Sequence, residues 1–236
     1  MKNLSNLKKR LEALPELRKG IKQRARFKEF LSKATPAKEQ LVDTSYGIDY
    51  AAPVLPSIEY DVARRSVKSS ARIAKNLTEK LRGDANTITD RQTEDSFVKL
   101  IDYAKAAIKK ATSVWQAEVQ AKIAKWETIS KVVAAIAEGN PSIREKGDQL
   151  KSSVDALLYA KDSLPRSQKD VETVEHKLKQ LTEAISNLGL ETQFGKFLQD
   201  AASDKGALLG DLEDESVAEQ IKTLKLTNVF RVRLTA

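Results

Sequence analysis

Basic side chains crowd one end of this sequence. Lys2, Lys8, Lys9, Arg10, Arg18, Lys19, Lys22, Arg24, Arg26, Lys28 and Lys33 fall within the first 33 residues, opposed only by Glu12, Glu16 and Glu29. That segment carries 11 − 3 = +8, which is the whole net charge, while the other 203 residues hold 30 basic and 30 acidic side chains and cancel. A field of that density recruits a counter-charge: nucleic acid, an anionic membrane surface or an acidic protein. Phosphate neutralisation is the chemistry these residue types perform best, and it gives affinity without base specificity. The residues assigned to it are Lys8, Lys9, Arg10, Arg18, Lys19, Lys22, Arg24, Arg26 and Lys28. Phe27 and Phe30 lie among them, as in a nucleic-acid arm that also stacks on bases, or as in an amphipathic helix that docks on protein.

Other candidates for chemistry are weaker. His176 is the only histidine and lies four residues after Glu172, the spacing of a solvated helical pair. With no cysteine and one histidine, disulfides and thiolate metal sites are excluded, and histidine-based nucleophile activation has almost no material. Gly189 to Lys196 imitates a phosphate loop, but five residues separate Gly189 from Gly195 where four are needed, and Phe197 stands where the hydroxyl should be. Two glycines, one ending a helix and one starting the next, account for it. Asp211 to Glu215 lacks calcium-loop spacing and reads as helix N-capping ahead of Val217. Trp115 and Trp126 are eleven residues apart on one helical face, and both fall on an apolar seam, which assigns them to a core rather than to base stacking. No enzyme activity, metal or cofactor is expected.

The elements that must position these groups are helical. Leu4, Leu7, Leu11 and Leu14 form a short seam, interrupted by Pro15. Pro36, Gly47, Pro53 and Pro56 punctuate the next stretch, which reads as an extended connector. A second basic helix follows, with Arg64, Arg65, Lys68, Arg72, Lys75, Lys80 and Arg82, stopped at Gly83. Phe97 to Ile136 keeps a nearly unbroken apolar period with no internal Gly or Pro. Gly139-Asn140-Pro141 marks a hairpin tip, and Val171 to Leu188 repeats at 3-4-3-4-3 after a break or kink at Pro165. Val229, Phe230, Arg231, Val232, Arg233 and Leu234 alternate as a strand would, and a lone strand needs an edge on a partner or a second copy.

The expected fold is all-α: an elongated antiparallel hairpin or coiled coil, 90–138 against 142–188, with a basic arm before it and a small helical cap ending in one strand. Four segments result: arm 1–34, connector 35–60, helical bundle 61–188 and acidic cap 189–236. The longest apolar run, Val132 to Ala137, is far too short for a membrane span, and the N-terminus lacks a secretory apolar core. The expectation is therefore a soluble cytoplasmic protein. Its expected role is a non-enzymatic structural or accessory subunit of a larger complex, associated with nucleic acid through the arm. A protein-only scaffold whose arm docks an acidic partner is the first alternative, and a peripheral binder of anionic membrane the second.

Overall fold

The computed structural model describes residues 2–84, 87, 88, 90–201, 207 and 209–227, with backbone alone at 2–15, 17 and 31. The described residues are all-α. The helices are α1 (Lys2–Val54), α2 (Glu59–Gly83), α3 (Arg91–Gly139), α4 (Arg144–Ala160), α5 (Gln168–Asn187), α6 (Gln193–Ala201) and α7 (Glu215–Thr223), with a 3₁₀ turn at Leu209–Leu212. The proposed strand residues Val229, Phe230, Arg231, Val232, Arg233 and Leu234 lie outside the described residues.

The expected extended connector is overturned. Residues 35–54 continue α1 as helix, so the arm and the connector are one element. Pro36 removes a backbone donor and costs roughly 3 kcal/mol inside a helix. Burial offsets that cost: Thr44, Gly47, Ile48 and Ala51 fall on one face of α1 and are buried. Each fully buried aliphatic side chain contributes about 2 kcal/mol. The break comes later, at Leu55 to Ile58, around Pro56.

Two compact units divide the chain, with one boundary inside α3 between Val114 and Trp115 and the others on either side of the segment 53–56. The first unit combines most of α1 with α2 and the leading part of α3. Glu59 at the start of α2 pairs with Lys110, while Lys80 near its end reaches Gln92 at 3.3 Å, so α2 and α3 run antiparallel. Arg64 pairs with Asp49 at 3.1 Å and ties α2 to α1. Phe30, Leu77, Phe97 and Leu100 form part of its core, with Ile73 and Ala74 packed against them.

The second unit holds the remainder of α3, the later helices and the short segment 53–56. Trp115 Nε1 donates to the Ala160 carbonyl at 2.8 Å, and Lys161 Nζ donates to Gln120 Oε1 at 2.8 Å. At the other end Gly147 meets Val133 and Ala137. These contacts define the expected antiparallel pairing of α3 with α4. The return arm is not one helix, however. Pro165 divides it, and α5 reverses along α4, so that Lys146 Nζ donates to the Asn187 carbonyl at 3.4 Å. The last helices cap the hairpin tip: Asn140 Nδ2 donates to the Lys225 carbonyl at 3.0 Å, and Gln220 Nε2 to that of Leu188 at 3.0 Å.

Candidate nucleic-acid interface

α1 carries the basic ladder, and two of its side chains contact α3. Arg26 pairs with Glu94 at 2.9 Å, and Phe30 stacks on Phe97 one turn later. The helical residues before Arg26 extend roughly 36 Å at 1.5 Å per residue. Among the described side chains there, Glu16, Arg18, Lys19, Lys22, Arg24 and Ala25 are exposed. Ile21 keeps 68% of its surface.

Helical geometry sorts the cations into two stripes. At about 100° per residue, Lys19, Lys22 and Arg26 fall within about 60° of one another, and Arg24 and Lys28 lie on the opposite side. By the same register Lys8 joins the first stripe and Arg10 the second, while Lys9 lies between them. Lys8, Lys9 and Arg10 are placed here by backbone alone. Among the described residues Arg18, Lys19, Lys22, Arg24 and Lys28 form no ion pair; Arg26 is the committed one. Glu29 is held below its ordinary pKa by a hydrogen bond and charge from Lys33, with a smaller contribution from Arg26, so it stays anionic and pins Lys33. Among the described cations of α1, most that form no ion pair therefore lie N-terminal to it.

The two aromatic candidates separate. Phe30 is buried against Phe97, whereas Phe27 remains 48% exposed between the cations. Trp115 and Trp126 are both buried in the second unit, as the seam implied. A second exposed stripe, Arg65, Lys68, Arg72 and Lys75, runs along α2 at 3-4-3 spacing. Its periodicity was visible in the sequence, but its solvent-facing side was not separable from the helix's packing side.

The remaining chemical candidates resolve into structure. His176 is exposed. Gly189 follows α5 at φ +66°, where the Leu190 amide donates to the Ile185 carbonyl, the bond that closes a helix C-terminus. Gly195 is required because a Cβ there would come within 1.8 Å of the Leu190 carbonyl oxygen. Asp214 caps α7, accepting from the amides of Ser216 and Val217 at 2.9 and 3.3 Å. Among the described residues no group of His, Asp and Glu side chains converges as a metal site, and no helix is long and apolar enough to cross a membrane. Comparison with protein-family models, curated proteins and solved structures finds no significant match to this chain.

Proposed function

We propose that the protein is a non-enzymatic accessory subunit that holds nucleic acid along the N-terminal half of α1. The observation that carries this reading is the set of exposed cations at Arg18, Lys19, Lys22, Arg24 and Lys28, which form no ion pair among the described residues. Cations on opposite sides suit a helix lying in a groove, where phosphates flank it on both sides. Binding is expected to be sequence-independent, because the ladder offers charge and few groups that read base edges. Exposed Phe27 supplies a stacking surface for an unpaired base.

A protein scaffold is the second reading. Exposed Ile21 and Phe27 favour it, since both are what a helix presents to a protein surface. Titration of a labelled duplex and a labelled single strand at several salt concentrations separates the two. Nucleic-acid binding with a steep salt slope supports the first reading; no binding at low salt removes it.

A further inference from the structure

The first unit has a groove that its own three helices leave open. Ala34, Ala37 and Leu41 of α1 form one wall, Val67, Ala71 and Ala74 of α2 the other, and Leu100 of α3 lies at the floor. The open volume is about 530 Å³. Val42 at its edge keeps 43% of its surface, and Ala71 is exposed. The wall residues recur every three or four positions along both helices. Four of them, Ala34, Ala37, Ala71 and Ala74, are small, so another backbone can come close. The stretch from Ala34 to Ser45 covers about 16 Å, or three helical turns.

Among the described residues the charged groups lining the groove are both positive: Lys38 on α1 and Lys75 on α2, the latter also 3.9 Å from exposed Glu79. Lys68 lies about 60° around α2 from Ala71, beside the groove's edge. Asp43 is exposed but lies about 100° or more around α1 from the groove residues, whereas exposed Glu39 lies about 60° from Val42 at the groove's edge.

We propose that this groove docks an amphipathic helix of a partner protein, with an apolar ridge of i, i+3, i+4, i+7 spacing and Asp or Glu on its flanks. The docked helix completes a four-helix packing, covering Leu41, Val42 and Val67 while its acidic flanks meet Lys38 and Lys75. A nucleic-acid backbone suits the site poorly, because it brings no apolar surface to cover the walls. The inference does not depend on the nucleic-acid reading of the arm, which uses different residues.

The test uses the full chain and a fluorescein-labelled synthetic helix on the order of 15 residues long, with a Leu ridge and Glu flanks, beside a counterpart with Lys flanks. The acidic peptide should bind saturably and at least about tenfold more tightly than the basic one. Val42→Asp or Ala71→Asp should weaken it about tenfold or more, with the circular dichroism melt unchanged because both positions are solvent-facing. Lys38→Glu with Lys75→Glu should reverse the peptide preference. Reversing Lys19, Lys22, Arg24 and Lys28 should leave that preference intact. The proposal is overturned if neither peptide binds, or if binding follows the arm variants and ignores the groove variants. It is equally overturned if the free protein self-associates through the groove, with Ala71→Asp restoring the monomer, or if a DNA duplex displaces the peptide from the arm-reversed variant as readily as from the unmodified protein.

Discussion

The ring of Phe30 lies flat on that of Phe97, with centroids 4.1 Å apart and planes 2° from parallel. This stack fastens α1 to α3 one turn after the Arg26–Glu94 ion pair, and the cations assigned to nucleic acid all precede it in the chain. It also decides between two phenylalanines three residues apart: Phe30 belongs to the core and Phe27 to the surface.

Phe30→Ala should destabilise the protein by about 3 kcal/mol, through lost burial and the cavity left behind. Phe27→Ala should shift the melt by only a few tenths of a kcal/mol, the usual scale for an exposed site. If Phe27 stacks on bases, the same substitution should weaken single-strand binding by about 1–3 kcal/mol. Denaturant melts and fluorescence titration of both variants check the assignment, and equal stability loss in the two would refute it.

The arm predicts a salt law. If five to eight phosphates are neutralised, log affinity should fall against log salt with a slope of about −4 to −7. Reversing Lys19, Lys22, Arg24 and Lys28 to Glu should abolish binding at moderate salt and leave the melt nearly unchanged, since these side chains carry no described contact. A variant that loses stability together with binding would mean the arm is a structural part of the fold.

Gly147 on α4 faces α3 so closely that a Cβ would meet that of Ala137 at 2.8 Å. Gly147→Ala should cost about 1–3 kcal/mol as the helices are pushed apart, despite the better helix propensity of Ala. Gly139→Ala, with open space around it, is the control and should be far milder. A stabilised Gly147→Ala protein would show that α3 and α4 are not in contact there.

Two helices end in the same way with different residues. Leu188-Gly189-Leu190 and Leu224-Lys225-Leu226 both place a left-handed residue before a buried leucine, whose amide bonds back to Ile185 and Ile221 respectively. Glycine adopts that conformation without penalty; Lys225, at φ 56°, does not. Lys225→Gly should stabilise the protein by about 0.5–1 kcal/mol, net of the entropy glycine adds to the unfolded chain. Thermal melting decides the sign, and a destabilised variant would mean that the lysine side chain makes a compensating interaction.

Acid should loosen two helix starts. Asp214 is held below its ordinary pKa by the Ser216 hydroxyl and the amides of Val217 and Ser216. Asp170 is lowered first by the Arg166 amide, then by the Ser167 hydroxyl. A carboxylate whose folded pKa is depressed contributes stability that is complete above its unfolded value, about pH 4, and lost as pH falls through the lower folded value. Stability should therefore be flat above about pH 5 with respect to these two groups and decline below pH 4. The double variant Asp170→Asn, Asp214→Asn should decline less steeply over that range; an unchanged acid profile would remove both caps from the account.

Much of the local structure was legible before any coordinates. The stops at Gly83 and Gly139, the break or kink at Pro165 and an acidic cap ahead of Val217 all depend on residues within a few positions of one another. So did the seam through Trp115 and Val133, because a 3.6-residue period already tells which residues share a face. That same information stops short of saying what the face packs against. Pro36, Gly47 and Pro53 are strong local signals for a break, and burial of Ile48 and Ala51 outweighed them. The α5 seam was clear, yet its reversal along α4 rests on Lys146 reaching Asn187, a contact between distant positions. Within the basic arm, composition determined the charge, and only packing against Glu94 and Phe97 decided which residues are committed to the fold. Periodicity is a property of the chain, whereas the partner of each face is chosen by the total surface that folding can bury.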